Sequence, residues 1–180
     1  TGKNRALTVH NTLKVKRLLV LAVLWVGCLA TQAVRSECTN LSAHWLSMRE
    51  GLVELRSINE EAITLPVRIA ETAIQRRSGF QDVCPELMRH WSILFMFERD
   101  VTAEFHMRRV AEALDIAFVG ADGRILDVQN MQPASKTGGS RRYTTKGSFR
   151  YALEASAGRL RKIALRPGDW RFKRLSTLAP

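Results

Sequence analysis

The sequence has no Gly-rich phosphate loop. Gly138 and Gly139 are not followed by Lys and Ser or Thr, nor by a helical pattern, so a P-loop nucleotide site is excluded. No Gly-x-Ser-x-Gly elbow occurs, which excludes a hydrolase built on that turn. The longest uncharged apolar run, residues 18–30, is 13 residues long. As a helix it spans roughly 20 Å, short of a ~30 Å bilayer core. Acidic groups are missing from residues 1–33, which carry five basic ones: Lys3, Arg5, Lys14, Lys16 and Arg17. Cysteine is scarce, with three in all.

What is present is ordinary for a folded chain. The 180 residues suffice for one domain and an extension, and 46% hydrophobic content argues against wholesale disorder. The formal charge of +11 invites a nucleic-acid reading. Removing residues 1–33 leaves 23 basic and 17 acidic groups, for +6.

A basic stretch, a short apolar run and small residues after it form a signal-peptide pattern over residues 1–33. The mature chain would then start at Thr31 or Val34. Lipidation of Cys28, a retained anchor and a buried core helix are the alternatives. Export to the periplasm or cell envelope follows from the leader. There the basic surface would meet anionic envelope material rather than nucleic acid, and none is expected as a partner. Membrane contact would come only through the leader or lipidated Cys28.

Export puts Cys38 and Cys84 in an oxidising compartment. A bridge between them would close a 46-residue loop, worth roughly 4 kcal/mol in the chain-entropy account. The two cysteines open an internal echo. Cys38, Leu41, His44 and Trp45 repeat at one fixed offset as Cys84, Leu87, His90 and Trp91. A disulfide with the His-Trp pairs packed nearby is the leading reading. A Cys2His2 metal site departs from the usual ligand spacing, and chance similarity with free thiols is the third option.

Alternation with a period of two marks strands near residues 52–58 and 63–69, apolar runs mark 93–97 and 114–119, and 104–107, 124–128, 148–154 and 170–173 read as further strands. Pro66 should put the second at an edge or at its beginning. Thr72 and Gln75 form a capping box for a short helix ending near Gly79. Asp122-Gly123 signals a hairpin, and Pro167-Gly168 a type II turn. Residues 157–162 read as a short helix or turn, and 132–147 as a long polar loop. The organisation is a lead-in at 34–62, one β-rich domain at 63–174 and a tail at 175–180. The fold class is mainly β: a small β-sandwich or partly open β-barrel with one or two short helices.

Several pieces in order then carry a resemblance. They are Glu71 to Phe80, Ile93 to Phe97, Phe105 to Arg108, Leu114 to Ile125, Tyr151 to Gly158, and Pro167 to Asp169. Over residues 63–173 the chain resembles the domain of unknown function 192 family. The resemblance implies a compact β-rich domain, often behind an export signal, with no agreed activity. One run departs from the family pattern: its usual Asn and Thr are replaced by Arg109 and Val110. The resemblance therefore supports the fold more than any catalysis.

Charged residues inside apolar strands are the site candidates. Arg108, His106, Asp115 and Glu154 would meet in a pocket for a small polar or anionic ligand. Arg108, with its two-pronged guanidinium, is the expected partner of the carboxylates. A structural salt-bridge network is the competing reading. The expected role is a non-catalytic binding or accessory module. The alternative is a small hydrolase-like enzyme with Glu154 or Asp115 as general base and His106 as proton carrier. His106 and Met107 alternate to opposite faces and so make a poor shared soft-metal site. No metal or cofactor is expected.

Overall fold

The computed structural model describes residue 38 and residues 41–135, 141–163 and 165–177. The chain divides into two compact units, Thr1–Thr39 and Asn40–Pro180. The architecture below is that of the second. The apolar run at 18–30, and with it Cys28, lies outside the described residues. Among those described, no helix is long and apolar enough to cross a membrane.

The elements run α1 (Ala43–Leu46), β1 (Arg49–Ser57), β2 (Ala62–Ala70), α2 (Ala73–Ser78), α3 (Pro85–His90), β3 (Ser92–Val101) and β4 (Phe105–His106). They continue as β5 (Leu114–Val119), β6 (Ile125–Met131), β7 (Arg142–Tyr143), β8 (Phe149–Ser156), α4 (Arg159–Lys162) and β9 (Trp170–Thr177). Seven strands form one sheet in the order β6-β5-β8-β3-β2-β1-β9, while β4 and β7 make a separate pair. Within the large sheet only β2 and β3 run parallel. The sheet curls into an open half-barrel, as the β-rich reading anticipates.

Its two edges meet at one place. Arg124 bridges Arg171, and the Phe172 amide donates to the Gly123 carbonyl over 2.7 Å. Gly123 has φ +80°, and a Cβ there would lie 2.4 Å from the Phe172 carbonyl oxygen. Turn geometry and the tight edge contact both demand glycine. The β5–β6 hairpin itself closes with the Gly123 amide donating to the Gly120 carbonyl over 3.0 Å.

The sheet is apolar on both faces. One holds Ile93, Phe95, Ile116, Phe118, Phe149 and Ala152, covered by α1, α2, α3 and the β4–β7 pair, while α4 packs its Leu160 on the opposite face. The other, inside the curl, holds Val67, Ile69, Leu94, Ala117, Leu153 and Trp170. Every residue of β5 is buried, and all but Asp115 are apolar, as expected for a strand covered on both faces.

Several local signals hold. Thr72 and Gln75 form the capping box of α2, which stops at Gly79. The Pro66 expectation is corrected: β2 is internal, between β1 and β3, with Pro66 mid-strand, and the proline is accommodated because the β2–β3 ladder begins only at Val67. Two further expectations are corrected. Strand β1, from the segment taken as a lead-in, lies within the sheet between β2 and β9. The described residues hold four short helices rather than one or two; α1 and α3 span four and six residues, too few to print a helical period.

The echoed motifs converge on one side chain. Arg68 places its guanidinium carbon 5.4 Å from the Trp45 ring centre and 5.2 Å from that of Trp91. It also pairs with Glu50 at 2.7 Å. Cys38 and Cys84 are both disulfide-bonded. A bridged sulfur is no thiolate ligand, which removes the Cys2His2 metal reading.

Candidate functional site: a cleft over Glu154

The β5–β8 register decides which charged residues meet. Glu154 pairs with Ile93 on β3 and Ile116 on β5, so it shares the helix-covered face. Asp115 pairs with Ala155 and faces into the curl with Ala117. The two carboxyls therefore point to opposite sides of one sheet. The expected meeting of Arg108, Asp115 and Glu154 does not occur.

Asp115, 3% exposed, has a structural role. Its Oδ2 accepts from the Leu160 amide at 3.2 Å and its Oδ1 from Asn130 Nδ2 at 3.0 Å. Gly158 begins α4 without a side-chain cap, so Asp115 satisfies a first-turn amide from across the fold. Arg108 is exposed and makes no ion pair among the described residues. A guanidinium is cheaper to leave in water than to bury beside a carboxyl that the sheet points elsewhere.

Glu154 and His106 do share a site. A cleft of about 310 Å³ opens between α2, β3, β4 and β8. Phe80, Phe95, Phe97 and Phe105 wall it, and Arg76, Arg77, Glu104, His106 and Glu154 supply its charged and titratable groups. Glu154 is 5% exposed and makes no hydrogen bond or ion pair with the described residues. Burial pushes its carboxyl up to about 8, so the group is largely neutral at pH 7. Above it lies Gly79, with φ +48°; a Cβ there would stand 3.9 Å from Glu154 Oε2 and 3.6 Å from the Phe95 ring. The missing side chain leaves the cleft open over the carboxyl.

His106 is held below its ordinary range, mainly by desolvation and further by the positive charges of Arg108 and Arg142. Its Nδ1 is buried without a hydrogen-bond partner among the described residues. Arg142 sits opposite His106 in the β4–β7 pair and lies 3.9 Å from Glu104. Met107, next along the chain, turns the other way into the core. Arg76 donates to the carbonyls of Glu71 and Met96, the latter at 2.9 Å, and stacks 4.9 Å from the Phe97 ring centre. Arg77 is exposed and makes no ion pair among the described residues.

The sequence reading missed Arg76, Arg77, Gly79 and Glu104 as site residues. The signal for the first three was the capping box. It fixes α2, so the helix delivers Arg76 and Arg77 and the chain then turns at Gly79. Nothing in the sequence pattern marks Glu104.

The curled sheet, with α1, α2 and α3 on one face and α4 on the other, defines a class of β-rich half-barrel domains. The chain belongs to the domain of unknown function 192 family, described as "Uncharacterized ACR", which matches residues 54–170. The fold is also similar to that of a Sinorhizobium meliloti 1021 protein provisionally described as a transcription regulator. That match has a TM-score of 0.61 and 23% identity, over 73% of this chain and 95% of the other. A protein of unknown function from Novosphingobium aromaticivorans DSM 12444 matches with a TM-score of 0.60 and 17% identity, over 75% and 99%. No curated protein matches the sequence.

Proposed function

We propose that the cleft binds a small anionic molecule with an apolar body, and that the domain works as a non-catalytic binding module. One observation carries this reading: a buried, largely neutral Glu154 carboxyl, without a partner among the described residues, at the floor of an open cleft. A carboxyl buried without a partner costs stability, and such costs concentrate at functional sites. Arg76 and Arg77 against Glu104 leave the lining positive while Glu154 is neutral. The phenylalanine walls suit an apolar body.

Thermal melts with a panel of small acids, amines and sugars test it. Bound anions raise the melting temperature by mass action. A panel in which no compound shifts the melt removes the reading.

A second reading is an enzyme. It is favoured by a carboxyl near pH 8 beside His106 in one cleft, suited to proton transfer near neutrality. Asp115 takes no part, since it lies across the sheet. Turnover by the wild type that vanishes in a folded Glu154→Gln variant would replace binding with catalysis.

We also read the protein as exported to the periplasm or envelope. The leader pattern at 1–33 and the disulfide-bonded Cys38 and Cys84 support this. Recovery of the intact chain from the cytosolic fraction alone would overturn it.

A further inference from the structure

Resting on the cleft reading above, we infer that the ligand is a monocarboxylate. It enters head-first, takes a hydrogen bond from the Glu154 carboxyl, and lays its body against Phe95, Phe97 and Phe105. The geometry leaves the Glu154 carboxyl with no partner among the described residues, under the glycine gap at position 79. A neutral carboxyl offers one donor and one acceptor, and its bond to a carboxylate is short and charge-assisted. Arg77, free of ion pairs among the described residues, adds one cation at the side.

Other head groups fit less well. A phosphate dianion calls for several free cations. Arg76 is already engaged with two carbonyls and a ring, and Glu104 would oppose the second charge. An ammonium head would meet Arg76 and Arg77. The cleft, at about 310 Å³, is at the small end of ligand sites and holds a ring with a short arm.

The same geometry ties binding to pH. The groups facing the cleft are Arg76 and Arg77 from α2, Glu104 and His106 at β4, and Glu154 from β8; Arg142 of β7 and Arg108 act on His106. Desolvation lowers the His106 pKa, so the ring sheds its proton below its ordinary range and stays uncharged while Glu154 titrates. Ionised Glu154 would set carboxylate against carboxylate, so affinity falls as pH climbs past about 8. At pH 9.5 the competent fraction has dropped about thirtyfold.

The test uses calorimetry on the full chain at pH 6.5 and 9.5. The probes are phenylacetate, 2-phenylethylamine, phenylacetamide and phenyl phosphate. Phenylacetate should bind tightest at pH 6.5 and about thirtyfold more weakly at pH 9.5. Glu154→Gln keeps a donor that cannot ionise, so it should bind phenylacetate equally at both pH values. Arg77→Ala, an exposed change, should weaken phenylacetate roughly fivefold. Preference for the phosphate, or a pH-independent wild type, overturns the carboxylate inference and leaves the cleft reading standing. Preference for the amine, or binding by none of the four, overturns both.

Discussion

Two buried carboxyls, Asp115 and Glu154, solve the same problem in opposite ways. Asp115 recruits donors from Leu160 and Asn130; Glu154 finds none among the described residues and keeps its proton instead. The raised Glu154 value makes stability from this group fully present below pH 4.5 and lost as pH climbs toward about 8. The slope is ~1.4 kcal/mol per pH unit in that window. Urea titrations at pH 5 and 8 should show this loss in the wild type. Glu154→Gln should be free of that contribution, and an equal slope in the variant would refute the assignment. Asp115→Ala strands two donors and should cost about 3 kcal/mol at neutral pH by urea denaturation. Both carboxyls were legible as polar residues in apolar strands, but their partners were not. Which face each takes depends on strand register, and a one-residue slip between β5 and β8 would have put them together.

Among the elements, those with local chemical signatures were readable from the sequence. The Thr72 box, the Asp122-Gly123 hairpin and the Pro167-Gly168 turn each carry their own geometry in a few residues. Helix α3 carries only Pro85 at its start, and β4 and β7 span two residues each, so long-range packing alone defines them. The Gly123 corner joins a local turn to a distant contact with β9. Gly123→Ala should destabilise by about 2 kcal/mol or more, through strain at positive φ and collision with the Phe172 carbonyl. Hydrogen exchange reads it directly: the Phe172 amide, bonded to the Gly123 carbonyl, should lose protection ahead of the β3–β8 ladder.

At the scale of the molecule, alternating strands foretold a curled β-rich body, and sequence order could not foretell its wiring. The parallel β2–β3 pair and the meeting of the two sheet edges arise from contacts far apart in the chain. The cleft belongs to this scale, since α2, β3, β4 and β8 come together only after the sheet curls. The disulfide state belongs here too. Alkylation without reductant should label neither Cys38 nor Cys84, and reductant should add two labelled sites by mass spectrometry. Labelling of either before reduction would contradict an oxidised pair.

The account depends on an uncharged, unpartnered carboxyl beneath an open cleft. Carboxyl ¹³C NMR of Glu154 in the ligand-free protein measures it most directly. A titration midpoint near 8 is predicted. A midpoint near 4.5, the ordinary glutamate value, would show a solvated or paired group and would contradict the account.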